Sequence, residues 1–517
     1  MASRSQSVSG ARRLIGLILG DQLDHQSPLF TKINQQTDSL VMIESSHEAQ
    51  TVWSHKARIA LFFSAMRHFA DDIKSKAYPL EYIKTNDALV ETLRVYLRTQ
   101  GATELMAVEP GDYRVQQEIE QMCQAEKIVC TWLEDTHFYC TKKEFVTWAH
   151  QKKELRLEFF YRMMRKKHNV LMEGDEPLGG RWNFDDENRK PYSKKGPGLI
   201  PPPLFIEPDE ITQKVIQEVQ EKFTDHPGEL DDFVWPVTRK DALLALDDFL
   251  QNRLIHFGEY QDAMWTQTPF GWHSLISAAL NLKLISPQEL VDKVVALGLL
   301  QKIDLSTIEG YVRQVIGWRE FIRGMYFLDM PHMAQANYFK NTRALPKWYW
   351  TGQTKMACMQ DTVGQTLRYG YAHHIQRLMV LGNFALLAEV MPQAVADWFL
   401  AIYVDAVEWV ELPNVAGMAL FANGGRFTSK PYIASGAYIK RMSNYCGACR
   451  YKSEQRYGDN ACPFTNLYWH FLIKNQQDFN KNPRMKLMMA NLNKISEDEQ
   501  KEIVLHAQSI LSHIDQI

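Results

Sequence analysis

Arg13-Leu-Ile-Gly-Leu-Ile-Leu19 runs straight into Gly20-Asp21-Gln22-Leu23. A nearly continuous apolar run this short, closed by a glycine and polar residues, is the pattern of a strand buried on both faces, with its turn at the carboxyl end. Ser39-Leu-Val-Met-Ile-Glu44 repeats the pattern, and Leu80-Glu-Tyr-Ile-Lys84, Leu105-Met-Ala-Val-Glu109 and Ile128-Val-Cys-Thr-Trp132 continue it. Between the second and third of these, residues 56–76 show helical spacing, with Leu61, Phe62, Ala65 and Phe69 expected on one side. Strands alternating with helices predict a doubly wound, parallel α/β domain over residues 12–150. Such sheets bind ligands at the carboxyl ends of their strands, which places Gly20, Asp21, Gln22, Glu44 and Glu48 around a candidate pocket. No GxGxxG or Walker loop is present, so an ordinary dinucleotide or ATP site is excluded.

Beyond residue 150 the composition changes. Residues 151–236 mix aromatics with cations (Phe159-Phe-Tyr-Arg-Met-Met-Arg-Lys-Lys-His168) and are rich in Gly and Pro, including Pro201-Pro202-Pro203. They predict an inter-domain connector, either solvated or bordering a nucleic-acid groove. Acidic residues here, Asp185 and Asp186, leave a bound cation open. From Arg239 onward strand signals nearly vanish and amphipathic helical periods take over, as at 242–250, 287–300 and 308–325, with Asp247, Asp248, Arg319 and Glu320 expected on polar faces. Residues 237–517 therefore predict an all-helical domain.

The chain has 517 residues, 45% hydrophobic and 23% charged, the composition of a soluble globular protein. A net charge of -3 excludes general nucleic-acid affinity, so any DNA contact must come from a local basic face. No apolar run reaches membrane-spanning length, and residues 1–13 lack the core of an export signal. Seven cysteines in so long a chain do not make a disulfide framework, which predicts a reduced, cytoplasmic protein.

Four of those cysteines stand apart: Cys358, the pair in Cys446-Gly-Ala-Cys449, and Cys462 followed by Pro463. Four thiolates so spaced suit a closed metal site, either structural zinc or a [4Fe-4S] cluster, and a single CxxC with a distant cysteine and a Cys-Pro favours the cluster. Cys123, Cys130 and Cys140 are expected to be packing residues. Three further stretches carry chemistry: 256–264 with Tyr260, 317–323 with Arg319 and Arg323 four apart on one helical face, and 405–414 with Asp405 and Asn414. Taken singly, each has a plain explanation in ion pairs or core aromatics.

Taken together they resemble a known family. Gly317-Trp-Arg-Glu-Phe-Ile-Arg323 is similar to the Trp-Arg-Glu-Phe helix of photolyases and cryptochromes. Asp405 with Asn414 resembles their flavin-edge segment, and Arg377 after His373-His374 resembles the arginine that pairs with that aspartate. The opening Leu19-Gly-Asp-Gln-Leu23, the run Phe63-Ser-Ala-Met-Arg-His-Phe-Ala70 and the cysteine pattern resemble the prokaryotic iron–sulfur branch, whose repair members are (6-4) photolyases. The resemblance spans essentially the whole chain. It implies FAD in the helical domain, a [4Fe-4S] cluster on Cys358, Cys446, Cys449 and Cys462, and a 6,7-dimethyl-8-ribityllumazine antenna bordered by Gly20, Asp21, Glu44 and Glu48. It carries Tyr260, Arg319, Glu320, Arg377, Asp405 and Asn414 over to the FAD pocket, with Asn414 facing flavin N5.

The activity so implied is light-driven repair of (6-4) photoproducts by electron transfer from excited, reduced FAD, acting as a monomer on a lesion flipped out of UV-damaged DNA. His374, supported by His373, is the implied proton donor, because a histidine exchanges protons near neutral pH. Trp398 and Trp350 are candidate electron carriers; Phe399 departs from the relay aromatic expected beside Trp398. Tyr432 and Tyr438 are expected to line the lesion side, with cations in 426–440 holding phosphates. The runner-up is a cryptochrome-like photoreceptor with the same cofactors; an iron–sulfur nucleic-acid protein without flavin and a zinc protein are the remaining alternatives.

Overall fold

The computed structural model describes residues 12–517; residues 1–11, and with them most of the stretch read as lacking an export signal, lie outside the described residues. Strands β1 (Leu14–Ile18), β2 (Ser39–Ser45), β3 (Leu80–Thr85), β4 (Glu104–Val108) and β5 (Val129–Leu133) form one sheet in the order 3-2-1-4-5. Every pairing is parallel, with Gly16 opposite both Leu40 and Met106. The chain winds outward from β1 through β2 and β3, then returns to the other side of β1 for β4 and β5. The strand order therefore switches between β1 and β4, where such sheets open a crevice at their carboxyl ends.

Alternation along the strands sorts the apolar residues into two layers. Ile15, Leu17, Val41, Ile43 and Leu105 pack against Leu93 and Leu97 of helix Leu89–Thr99 and Ile119 of helix Tyr113–Glu126. Leu14, Ile18, Leu40 and Met42 face the other way, into a core shared with helix Lys56–Ser75 and with the helical half of the molecule. Of the residues expected on one side of that helix, Leu61, Ala65 and Phe69 are buried, while Phe62 is half-buried with the Arg58 guanidinium 4.9 Å from its ring. At Gly16 the packing leaves no room for a side chain, since a Cβ there would stand 2.5 Å from Leu40 Cδ2.

Residues 151–236 carry two docked helices. Leu157–His168 packs on the helical half near Arg313–Arg319, and Glu210–Lys222 packs on helix Lys56–Ser75. The mixture of cations and aromatics at 159–168 is explained partly from within. Arg165 is fully buried and donates to the carbonyls of Val170 (3.2 Å), Trp182 (3.1 Å) and Leu171, so this cation holds the connector's own backbone.

From Arg239 onward the described residues form helices, including Arg239–Asn252, Pro287–Leu300, Ala357–Tyr369 and Pro392–Ile402. Three of the helical segments contain π-helical turns, at Arg313–Arg319, Gln376–Gly382 and Pro413–Ala419. Such turns are frequent at functional sites. Here each holds one residue assigned above to the cofactor: Arg319, Arg377 and Asn414.

His55 and Tyr326 are among the side chains that clasp the two halves. His55, fully buried at the N-cap of helix Lys56–Ser75, accepts from the Ala57 amide at Nδ1 (3.0 Å) and donates from Nε2 to the carbonyl of Leu367 (2.7 Å). Its own amide donates to Ala401 O at 2.8 Å. A Cβ on Gly228 would fall 1.9 Å from His55 Nε2, so only glycine lets that loop cross the ring. Tyr326 of helix Glu320–Asp329 accepts from the Tyr113 amide at 2.8 Å and donates to Glu408.

Candidate active site

The helical half contains a largely enclosed ion pair. Arg377 Nη2 lies 2.9 Å from Asp405 Oδ1 and 3.2 Å from Oδ2, and Arg377 Nε donates to Ala372 O at 2.7 Å. Ser277 donates to Asp405 Oδ2 at 2.6 Å and Asn281 to the Asp405 carbonyl at 2.8 Å. Oδ1, although close to Arg377, receives no directed hydrogen bond and is left with an open acceptor site. Glu411 completes the group: burial pushes its carboxyl up to about 7, against the pull of Arg377 and Arg58. Ser277, Asn281 and Glu411 escaped the sequence reading because each meets Asp405 or Arg377 only through the tertiary fold.

The two histidines sit just ahead of Arg377. His373 is buried, and its ring stacks on that of His273 with centroids 4.6 Å apart and planes 13° apart. Among the described residues His373 Nδ1 and His273 Nε2 have no partner. His374 differs: its neighbours 371–373 and 375–376 are buried, yet it is itself reached by water. Enclosure by protein, then Arg377 beside it, hold its pKa below the usual imidazole range. Burial and the neighbouring cations do the same to His373. Tyr260, assigned to the same pocket, stands instead in a small cluster with Tyr192 (5.1 Å), Ala263 and Trp272, and the carbonyl of its neighbour Gln261 faces His273.

Arg319 and Glu320, expected on a polar helix face, are buried where the two halves meet. The continuous helix 305–329 is covered on that side by residues 135–141 of the α/β half, which leaves no solvated face there. Arg319 Nη2 donates to Leu280 O at 3.3 Å, and its guanidinium lies 4.4 Å from the Phe138 ring and 5.0 Å from that of Trp409. Glu320 Oε2 accepts from the Cys140 amide at 3.1 Å, and the Arg323 guanidinium also lies over the Phe138 ring, at 3.9 Å. Lys283 and Asp135 form a buried pair at 2.8 Å beside them. Asn414 spends its amide on Val410 O, 2.7 Å away and one turn back.

At the carboxyl ends of the strands, Gln22 donates to Val108 O (3.1 Å) and Glu109 O (3.2 Å), tying the end of β1 to that of β4. Gly20 leaves room for Met66, whose sulfur would be 2.9 Å from a Cβ. Asp21 points toward the helical half: a Cβ on Gly111 would meet both Asp21 Oδ2 (3.0 Å) and Trp409 (2.8 Å). Burial, opposed by Lys283, raises the Asp21 carboxyl pKa. Glu44 and Glu48 do not join it. Glu44 is held by Arg67 in a two-point pair (2.8 and 2.7 Å) and by the Tyr82 hydroxyl, and Glu48 accepts from Arg114 at 2.8 Å.

Aromatic rings lead into the Arg377–Asp405 pair. Trp350 and Trp398 have centroids 6.3 Å apart; Trp398 and Tyr403 are 5.9 Å apart; and the Arg377 guanidinium lies 3.7 Å from the Tyr403 ring. Phe399 packs beside both Trp398 and Tyr403. Tyr403, one turn further along the chain, was not singled out in the sequence. Tyr432 and Tyr438 are neighbours of Arg189 from the connector, and the Arg441 guanidinium lies 5.3 Å from the Tyr438 ring, which makes a local aromatic and basic rim.

Cys358, Cys446, Cys449 and Cys462 line one cavity whose other walls include Met356, Ile439, Tyr451 and Phe464. Among the described residues no three His, Cys, Asp or Glu side chains converge closely enough to hold a single metal ion. Four cysteines round one apolar cavity are the donor set that a closed site, a cluster or one zinc ion, would use. Burial and the neighbouring sulfurs raise the pKa of the Cys358 thiol, and the same causes push Cys446 up to about 12. Thiols so placed become thiolates only against a bound cation. The donor set therefore fits the cluster the resemblance implies. The open acceptor on Asp405 and the unpartnered nitrogens of Arg319 and His373 likewise fit a polar ligand such as FAD.

Known proteins agree with this architecture. The sequence model of the deoxyribodipyrimidine photo-lyase-related proteins matches residues 16–235. A (6-4) photolyase of Agrobacterium fabrum is 42% identical over 506 residues, which is 96% of this chain and 99% of that protein. The crystal structure of a bacterial class III photolyase from Agrobacterium tumefaciens superposes with a TM-score of 0.58 at 16% identity, covering 99% of this chain and 100% of that one. A Synechocystis cryptochrome superposes with a TM-score of 0.56 at 12% identity, covering 95% and 93%. These two likenesses carry the fold alone. The full-length relative, at its level of identity, carries more: the chain belongs to the photolyase and cryptochrome family.

Proposed function

We propose that this protein is a light-driven (6-4) photolyase, a lyase that restores (6-4) photoproducts in UV-damaged DNA. The observation that carries the proposal is the His373–His374 pair, set just ahead of the Arg377–Asp405 ion pair in a chain whose full-length relative is a (6-4) photolyase. FAD, bound in its reduced form, would supply the excited-state one-electron donor for the lesion and take that electron back. Asp405 would hold it through the open Oδ1 acceptor, with the carboxylate oriented by Arg377 and Ser277. Arg319 and Asn414 would bound the same pocket, with Asn414 turning its amide from Val410.

Moving an oxygen between the two bases of a (6-4) lesion requires a proton donor. His374, the water-accessible histidine, would give that proton, and His373 behind it would hold the ring in place. In the free protein burial at His373, and Arg377 at both rings, hold them below the usual imidazole range. A DNA phosphate and a bound anionic cofactor would raise them. The rim of Tyr432, Tyr438, Arg189 and Arg441 would receive the lesion flipped from the duplex, which damage makes less costly to unstack. Cys358, Cys446, Cys449 and Cys462 would hold a [4Fe-4S] cluster. Asp21 at the β1–β4 crevice would border a lumazine antenna. In this reading residues 12–150, 151–236 and 237–517 serve as antenna domain, connector and catalytic domain of a cytoplasmic monomer. No helix among the described residues is long and apolar enough to cross a membrane.

The test is blue-light repair of an oligonucleotide carrying one (6-4) lesion, beside a cyclobutane control, with reduced protein and His374→Ala in parallel. Repair of the (6-4) lesion alone, lost in the variant, is the expected result. Repair of neither, with flavin bound and reducible, would leave the photoreceptor reading in its place.

A further inference from the structure

We propose that Cys123 and Cys130 are a reversible dithiol–disulfide site at the edge of the sheet, closed by a hydroperoxide and reopened by a soluble thiol, and that closing it staples strand β5 to helix Tyr113–Glu126. The inference is independent of the flavin and of the cluster, since neither cysteine belongs to those sites. Its basis is the register between that helix and β5. Trp132 Nε1 donates to Glu120 Oε1 at 2.8 Å, which fixes one rung between them. A step toward the turn that joins them, three residues along the helix and two along the strand, stays on the same faces and brings Cys123 opposite Cys130. The two sulfurs stand within hydrogen-bonding reach of each other.

Only Lys127 and Ile128 separate the helix from the strand. Lys127 takes the left-handed conformation (φ 58°), and the Ile128 amide donates to Cys123 O at 2.9 Å, so the chain folds back tightly over Cys123. Cys123 is buried in the apolar layer on that face of the sheet, and the half-buried Cys130 borders it. Strand β5 is the last of the sheet, so a small oxidant approaches the pair from the open edge, past Cys130. Contact with the Cys130 thiol lowers the pKa of Cys123, and the same contact raises that of Cys130. Cys123 is therefore the nucleophile of the pair. Cys140 differs: it lies in the other core, with its Sγ donating to the Thr141 carbonyl at 3.6 Å. In a reducing compartment two thiols so placed stay open and close only under oxidant.

The step balances with hydrogen peroxide as oxidant. The Cys123 sulfur bonds to one peroxide oxygen, the O–O bond breaks, and the departing hydroxide takes up the proton Cys123 has released, leaving as water. The Cys130 sulfur then bonds to that of Cys123, the S–O bond breaks, and a second water leaves with the Cys130 proton. Two thiols have lost two electrons and the peroxide has gained them. In the return, two soluble thiols become one disulfide and restore both cysteines.

The experiment treats the full-length holoprotein with hydrogen peroxide in molar excess, blocks free thiols with iodoacetamide under denaturing conditions, and digests with trypsin without reductant. Trypsin cuts after Arg114, Lys127 and Lys142, so Cys123 falls in peptide 115–127 and Cys130, with Cys140, in peptide 128–142. Mass spectrometry is expected to find the two peptides joined, two hydrogens lighter than their sum, and separate again after dithiothreitol. The joined species should be absent from Cys123→Ser and Cys130→Ser and retained in Cys140→Ser. Amide exchange in β5 should be severalfold slower in the oxidised wild type than in the reduced, and unchanged by peroxide in Cys130→Ser. Unlinked peptides after peroxide treatment of the wild type would overturn the proposal. So would a link lost in Cys140→Ser, which would assign it to Cys140, or a linked protein whose β5 amides exchange as fast as in the reduced form.

Discussion

Mild acid should loosen the contact between the two halves of the molecule through one ring. His55 is fully buried, accepts from the Ala57 amide at Nδ1 and donates to Leu367 O at Nε2, so a second ring proton would replace an attraction at Nδ1 with a repulsion. Burial, offset in part by the Leu367 carbonyl, lowers its pKa from 6.5 to about 4. A base whose folded pKa is lowered binds fewer protons folded than unfolded, so its contribution is complete above pH 6.5 and is lost as pH falls toward 4. The whole shift is worth about 3 kcal/mol, and lowering pH from 7 to 5 should remove about 2 kcal/mol of it. His273 titrates over the same window, with its pKa held to about 4 chiefly by burial, so the measurement must be a difference. Urea unfolding of wild type and His55→Gln should differ by about 2 kcal/mol less at pH 5 than at pH 7. Because a chain of this size need not unfold in one step, amide exchange at Ala57 gives a local check. Its protection should fall at pH 5 in wild type while amides in β1 hold theirs. A stability difference that stays constant between the two pH values would refute the argument, because it would mean that Nδ1 is not the acceptor or that water reaches the ring.

The other predictions concern the ion pairs and the cysteines. Arg377→Met strands the Asp405 carboxylate with Ser277 as its remaining side-chain donor, and should cost about 3–5 kcal/mol in urea unfolding; adding Asp405→Leu should recover much of that loss, with flavin retention absent in both. Cys358→Ser, Cys446→Ser, Cys449→Ser or Cys462→Ser should each lower bound iron and sulfide in the purified protein, whereas Cys140→Ser, outside that cavity, should leave both unchanged. At Asp135 burial alone would raise the carboxyl pKa, but Lys283 and Arg323 outweigh it and hold it well below the ordinary range. Its stabilisation is therefore present above about pH 4 and lost in stronger acid, and Asp135→Asn should flatten the acid limb of a thermal-stability profile.

The parts of this molecule legible in the sequence are those whose signal is local. The strands announce themselves because a parallel sheet covered on both faces needs unbroken apolar runs, and Leu14–Ile18 and Ser39–Ser45 are such runs. Arg319 and Glu320 misled, because a charged pair four residues from another arginine looks the same on a solvated face as against residues 135–141 of another domain. Glu44 looked available at the end of β2, and nothing nearby in sequence reveals that Arg67 and Tyr82 consume it. His55 and Leu367 lie 312 positions apart, and no composition or periodicity joins them. Asp405 and Arg377 were found through a family likeness, whereas Ser277, Asn281, Glu411 and Tyr403, which surround them, carried no pattern of their own.

The three π-helical turns set a rule for editing this chain. A π turn holds one residue more than the α-helix would need, and removing one residue from an α-helix rotates everything beyond it by about 100°. A deletion inside Arg313–Arg319, Gln376–Gly382 or Pro413–Ala419 can be absorbed by reversion to α geometry, with the flanking helices keeping their faces. The same deletion a turn earlier or later must turn one half of the helix out of the core. Scanning single-residue deletions through the helical half should therefore leave three islands of soluble protein, and those islands should be the ones that no longer hold the flavin.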